Sequence, residues 1–242
     1  MPEKNLINTP IEEPALIQNM FNTIAPTYDL LNHLLSFGLD IRWRKKAIRL
    51  LEEKSGGTFL DIACGSGDLS IEVLNLSPAR MVATDFAETM LKVFDEKLKK
   101  LGVAIPVELI ACDALALPFP DGSFDATMVA FGIRNFADRL QSLKEMRRVL
   151  KPDGISLILE LSTPRKFLPR QLYTIYTKIF LPLIGRIVSH HTSAYRYLPE
   201  SISQFPDEKD FVPLMQEAGF TDLRVTHLSF GTATIYTGRK RG

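Results

Sequence analysis

The sequence predicts an α/β fold on one open, doubly wound, mostly parallel sheet, and three observations predict it. Short apolar runs alternate with amphipathic helical segments along most of the 242 residues. The first run, Thr58–Cys64, ends in Gly65-Ser66-Gly67 and passes directly into a helix; the second, Met81–Asp85, ends on a carboxylate. The chain closes with two alternating runs, 223–230 and 233–239, on either side of Gly231-Thr232, the pattern of a hairpin.

The elements between these follow in order. Residues 87–101 put Met90, Leu91, Phe94 and Leu98 on one helical face. Val107–Asp113 forms a third strand, again with a carboxylate at its end, and Phe124–Ala130 a fourth. Asp138 caps a helix running to about Leu150, where Lys151-Pro-Asp-Gly154 breaks it. Ile155–Leu161 is the fifth strand, and Asp207 opens a helix that stops at Gly219. The expected sheet has seven strands: five parallel in the order 3-2-1-4-5, and a hairpin that adds an antiparallel edge. Residues up to about 50 form an N-terminal helical cap, about 162–205 a helical insertion, and the whole a single domain.

Composition narrows the class. Hydrophobic residues make up 45% and charged residues 24%, with a net charge of +1, so a global nucleic-acid footprint is absent. The first residues lack a basic region followed by an apolar core, and no apolar run reaches the roughly 20 residues of a membrane span. A cytoplasmic location is expected. Cys64 and Cys112 end strands two spacings apart, roughly 9–10 Å, beyond the roughly 7 Å that a disulfide bridges. Both are expected to be free thiols, and with no histidine at ligand spacing no metal site is expected.

The loop after strand one carries the chemistry. Gly65 and Gly67 allow a tight turn and a close approach of ligand to backbone, and the N–H groups at the helix start favour a negative group. Asp85 is placed to accept from ribose hydroxyls. A dinucleotide fingerprint needs a third glycine where Ser70 stands. Asp61, inside strand one, suits the ammonium of an amino-acid ligand, which a dinucleotide lacks. The pattern resembles the cofactor loop of class I S-adenosylmethionine (SAM) methyltransferases. Asp113 and Ala114, at the edge where ligands bind in open α/β sheets, are candidates for the adenine amino group and a ring nitrogen; Asp113 as a simple turn cap is the alternative.

Segments outside the sheet are more specific. Met20–Asp40 with Trp43-Arg44, Ala116–Asp121, Phe131-Gly-Ile-Arg-Asn-Phe136 and Ser193–Ile202 together resemble the UbiE/MenG/Coq5 family of quinone-biosynthesis C-methyltransferases, from about Phe21 to the end. The resemblance implies SAM as cofactor and C-methylation of a polyprenylated quinol, demethylmenaquinol to menaquinol and in some bacteria also a ubiquinone precursor. It departs from the family at Ser66, where threonine is frequent, at Ala130, where many members carry serine, and at His190-His191. The cofactor residues it implies are Asp61, Gly65, Ser66, Gly67, Asp85, Asp113, Ala114 and Ala130.

Ring-carbon methylation needs in-line positioning, stabilisation of a phenolate and a route for its proton. Arg134 and Asn135 follow strand four and are the catalytic candidates, Arg134 as electrostatic stabiliser of the quinolate because a guanidinium stays protonated. Tyr28 and Tyr195 are substrate-side candidates by family position. His33 and His227 are expected to be structural. Two alternatives share the cofactor residues: an O- or N-methyltransferase of a soluble metabolite, and a non-catalytic SAM-binding protein.

Finally, Leu161 to Pro199 contains no Asp or Glu but carries Arg165, Lys166, Arg170, Lys178, Arg186 and Arg196. Leu168, Leu172, Ile175, Ile179, Leu183 and Ile187 recur there at helical steps, with Pro182 and Gly185 interrupting. An apolar stripe flanked by cations suits an anionic bilayer surface; packing on the sheet or in a homodimer is the open alternative.

Overall fold

A computed structural model describes residues 13–103, 105–164, 171 and 192–242. The sheet has seven strands in the order β3-β2-β1-β4-β5-β7-β6. These are β1 (Thr58–Ile62), β2 (Arg80–Asp85), β3 (Val107–Ala111), β4 (Phe124–Ala130), β5 (Leu150–Leu161), β6 (Thr221–Leu228) and β7 (Ala233–Arg239). The first five are parallel, and β7 runs antiparallel to both β5 and β6. The expected order and antiparallel edge are therefore present.

The central strands are apolar on both faces because helices cover both. On one face Leu60, Val129 and Ile158 pack with Leu143 and Met146 of α6 (Arg139–Val149) and with Phe211 and Met215 of α8 (Glu208–Glu217). On the other, Phe59, Met81 and Met128 meet Trp43, Ala47 and Ile48 of α3 (Leu39–Arg49), and Leu69 and Val73 of α4 (Asp68–Val73). The capping carboxylates foreseen at Asp138 and Asp207 accept from Gln141 N and Lys209 N.

A helical layer precedes the sheet: α1 (Pro14–Ile24), α2 (Tyr28–Leu35) and α3. Ile24 and Ala25 pack on Ala87 and on Met90 of α5 (Glu88–Leu101), which lays this layer beside the ends of β1 and β2. Trp43 Nε1 donates to Ser229 Oγ at 2.9 Å, tying α3 to the hairpin turn.

Two expected boundaries differ. The Lys151–Gly154 turn lies inside β5: pairing passes from Phe124↔Leu150 to Ala126↔Ile155 across a bulge. Asp153 adopts a left-handed φ of 60°, and Asp153 N and Lys240 N close bonds with Lys240 O and Gly154 O that hold the bulge in the sheet. The run expected at 223–230 ends at Leu228, because Ser229, Phe230 and Gly231 all take positive φ and form the turn themselves.

The stripe cations Arg165, Lys166, Arg170, Lys178 and Arg186, its apolar members from Leu168 to Ile187, and His190-His191 lie outside the described residues. Tyr195 and Arg196 fall in α7 (Thr192–Gln204), but their side chains also lie outside what is described.

Candidate functional site

A cavity of about 430 Å³ opens at the C-terminal edge of β1, β2, β3 and β4, a size suited to a small-molecule cofactor. It is lined by nine of the residues singled out in the sequence: Tyr28, Asp61, Gly65, Ser66, Asp85, Asp113, Ala114, Ala130 and Asn135. Gly67 and Arg134 are not part of the lining.

Gly67 serves the site from behind. Its φ is +83°, and a Cβ there would stand 2.1 Å from the ring of Phe94. Only glycine lets α5 approach the loop this closely. Asp85 then fixes the loop from the neighbouring strand: Oδ2 accepts from Gly65 N and Oδ1 from Ala87 N, each at 2.8 Å. Each oxygen keeps a lone pair for a further donor, as a ribose diol would supply. Asp113 Oδ1 accepts from Leu115 N at 2.9 Å, so it caps the turn and lines the cavity at once.

Asp61 is wholly buried in β1. Its Oδ2 accepts from Ser70 Oγ at 2.6 Å, while Oδ1 has no hydrogen-bond donor among the described residues. Burial pushes its carboxyl pKa up to about 7, against the opposing hydrogen bond from Ser70. The serine that replaces the third glycine of a dinucleotide loop is thus the partner of this carboxylate. A buried carboxyl group with one unserved oxygen, on a residue that lines the cavity, suits a cationic ligand group, and an α-ammonium is one.

The helical layer closes over this loop through ion pairs that sequence reasoning did not foresee. Ser66 Oγ donates to Asp29 of α2. Lys97 Nζ of α5 reaches Asp29 at 2.5 Å and Asp68 at 2.7 Å. Arg44 Nη1 of α3 bridges Asp40 at 2.5 Å and Asp68 at 3.3 Å. His33, expected to be structural, lies 2.7 Å from Asp40 and 3.8 Å from Asp68. His33, Asp40 and Asp68 could in principle surround a metal ion, but Arg44 and Lys97 already bring the positive charge such an ion would supply.

Arg134 sits deeper than its neighbour Asn135. It is 5% exposed, and Nη1 donates to Glu160 Oε1 at 2.7 Å and to the Phe131 carbonyl. Glu160, fully buried near the end of β5, also accepts from Arg134 N at 3.2 Å. The guanidinium is thus paired with Glu160 and stands behind the cavity lining. It ties the 3₁₀ turn Ile133–Asn135 to β5 and, through Nε to Ser201 Oγ at 3.4 Å, to α7. Asn135, next along, does line the cavity. Its Oδ1 accepts from Tyr197 OH at 2.8 Å, which leaves the amide N–H₂ for a ligand. Glu160 and Tyr197 had signals in the sequence: an acid within an otherwise apolar strand, and a second tyrosine in the segment that holds Tyr195.

The cavity therefore gathers a buried carboxyl oxygen with no donor among the described residues, a carboxylate at the β2 tip, and a glycine loop pressed against α5. A S-adenosylmethionine-dependent methyltransferase of Methanococcus maripaludis superposes with a TM-score of 0.67 over 91% of this chain and 94% of that one, at 17% identity. A phosphoethanolamine N-methyltransferase of Haemonchus contortus, solved with SAM, gives 0.59 over 81% and 52%, at 16% identity. These likenesses show the fold, that of class I SAM-dependent methyltransferases.

The sequence goes further. Residues 9–240 match the ubiE/COQ5 methyltransferase family. The chain is 45% identical to a ubiquinone/menaquinone biosynthesis C-methyltransferase of Geotalea uraniireducens over 95% of its length and 98% of the relative's. It is 46% identical to a demethylmenaquinone methyltransferase of Thermus thermophilus over 90% and 99%. The chain belongs to the ubiE/COQ5 methyltransferase family.

The Arg134–Glu160 pair yields a stability prediction. Glu160→Gln keeps the shape but strands a buried guanidinium, an expected loss of roughly 3–5 kcal/mol in chemical denaturation. Replacing both partners, Glu160→Gln with Arg134→Met, should recover part of that loss. A cost below about 1 kcal/mol for Glu160→Gln, the level of an exposed pair, would show that Glu160 is not what holds Arg134.

Proposed function

We propose that this chain methylates a ring carbon of a polyprenylated quinol, converting demethylmenaquinol to menaquinol, with a ubiquinone precursor as a second substrate of the same chemistry. What carries this reading is the near full-length identity to relatives named for that reaction, on a chain whose cavity presents Asn135 beside the cofactor residues. SAM supplies an electrophilic methyl group when bound. The chain's own groups hold the acceptor in line with it and favour its ionised form.

Asn135 is the group placed to do the latter. Its free N–H₂ donates to the developing phenolate, while Tyr197 fixes the amide's orientation through Oδ1. The phenol proton leaves to water. Arg134 acts as a positioning residue for this loop. Tyr28, whose pKa burial raises, stays a neutral phenol and a hydrogen-bond donor at the cavity wall. Tyr195 remains a substrate-side candidate in the family segment of α7.

The acceptor's tail calls for a lipid surface, and the reading includes peripheral contact with an anionic bilayer. Among the described residues no helix is long and apolar enough to cross a membrane. The outward side of α2 and α3 exposes Leu30, Leu34 and Ile41. Arg42, Lys45, Lys46 and Arg49 are exposed on α3 and make no ion pair among the described residues. An apolar edge beside uncompensated cations supports this contact, as does the acid-free stretch 161–199.

Two experiments test the reading. With isotopically labelled SAM and reduced demethylmenaquinone in detergent, the label should appear on a ring carbon. Asn135→Ala should lower kcat by about 10²–10³-fold while cofactor affinity stays near wild type. Label on oxygen, or binding of SAM without any transfer to quinols, would overturn it. For the bilayer, sedimentation with anionic vesicles should exceed that with neutral ones and fall at high salt. Equal and negligible sedimentation with both would favour packing on the sheet or on a second subunit.

A further inference from the structure

We propose that Arg44 binds the carboxylate of the cofactor's amino-acid head, so that Asp61 and Arg44 together select a zwitterion. The proposal rests on SAM as the cofactor and goes beyond it by assigning a residue of the helical layer to ligand recognition.

The argument starts from what Arg44 leaves unused. It is 5% exposed, yet it lines the cavity. All its hydrogen bonds and ion pairs run through Nη1, to Asp40 and Asp68. Nε and Nη2 carry three N–H donors with no acceptor among the described residues. These donors are not among the fully buried unpartnered atoms, so on a residue that lines the cavity they are open to a ligand. The Nε–Nη2 edge is the geometry that a carboxylate takes in a bidentate pair.

The surroundings fit this use. The guanidinium carbon lies 5.4 Å from the centroid of the Phe131 ring, which holds the group over the end of β4. Asp61 feels its positive charge, so the orphan oxygen and the unused donors belong to the same end of the cavity. Nor is Arg44 consumed by its acids. Asp40 is also served by Ser36 at 2.5 Å and by His33 at 2.7 Å, and Asp68 by Lys97 at 2.7 Å. One oxygen lacking a donor and one fork lacking an acceptor, on two residues that line one cavity, are the complement of an α-amino acid. Because α3 supplies Arg44, the helical layer takes part in cofactor binding as well as covering it.

The test compares two ligands on one protein by calorimetry: S-adenosylhomocysteine, and its decarboxylated amine, S-adenosyl-3-thiopropylamine. Wild type should bind the amine about 10–100-fold more weakly, the value of charge-assisted hydrogen bonds to a carboxylate. Arg44→Gln should weaken S-adenosylhomocysteine by a similar factor and change the amine by less than about 3-fold, collapsing the discrimination. A general loosening of the loop would weaken both ligands equally and would overturn the proposal. Arg44→Lys keeps a charge beside Asp40 and Asp68 but loses the fork. It should discriminate less than wild type, and stands in where the glutamine variant does not fold; unchanged discrimination in the lysine variant overturns the proposal. Failure of wild type to bind S-adenosylhomocysteine at all would remove the cofactor assignment and the proposal with it, a result distinct from binding without discrimination.

Discussion

A carboxyl group buried in the central strand, with one oxygen that no group among the described residues serves, is the constraint around which this site is organised. An unserved buried polar atom costs about 1–3 kcal/mol, and more when it is ionised. The fold limits that cost in two ways. Ser70 serves the other oxygen, and burial holds the carboxyl largely protonated toward neutral pH. A ligand that brings an ammonium supplies the missing partner. Binding specificity is thereby stored as an incomplete hydrogen-bond set in the apo protein. The glycine loop, the Asp85 bonds to Gly65 and Ala87, and the ion pairs from α2, α3 and α5 then fix where that ligand sits.

The second buried charge works differently. Arg134 and Glu160 satisfy one another, and the pair joins the loop after β4 to β5 and to α7. Such a pair contributes little net stability against an apolar substitute. It does fix geometry, because either partner alone would be an uncompensated charge. Phe131, with a left-handed φ of 58°, and Asn135 are both held by this loop. The Asn135 amide is presented to the cavity by a turn whose shape a neighbouring ion pair enforces.

Much of this was legible in the sequence, for local reasons. Period-two runs, a glycine turn and carboxylates at strand ends predicted the parallel sheet and cavity residues such as Asp61, Gly65, Asp85 and Asp113, because those signals sit within a few residues of the groups they position, whereas Tyr28, Ala130 and Asn135 came from the family resemblance. The bulge at Lys151–Gly154 was not legible, since the bonds that keep it in the sheet come from Lys240. The pairing of Arg134 was not legible for a similar reason: the family segment marks the loop, but the partner that holds its guanidinium is Glu160, 26 residues on. The network of Asp29, Asp40, Arg44, Asp68 and Lys97 joins α2, α3, α4 and α5, and no periodicity announces which charges on four helices will converge.

The central claim is that the orphan oxygen of Asp61 is completed by a cationic ligand group. Carbon-13 NMR of the aspartate side chains, assigned with Asp61→Asn, measures it directly. In the free protein the Asp61 carboxyl should titrate near the value of about 7 set by burial. Since the unfolded group titrates near 3.8, the folded state binds the extra proton between these values, and this residue's contribution to stability falls as pH rises through that window. With S-adenosylhomocysteine bound, the ammonium favours the ionised form, so the same signal should report a carboxylate throughout the neutral range, with its midpoint shifted clearly downward. An Asp61 midpoint that does not move when the ligand saturates the protein would contradict the account.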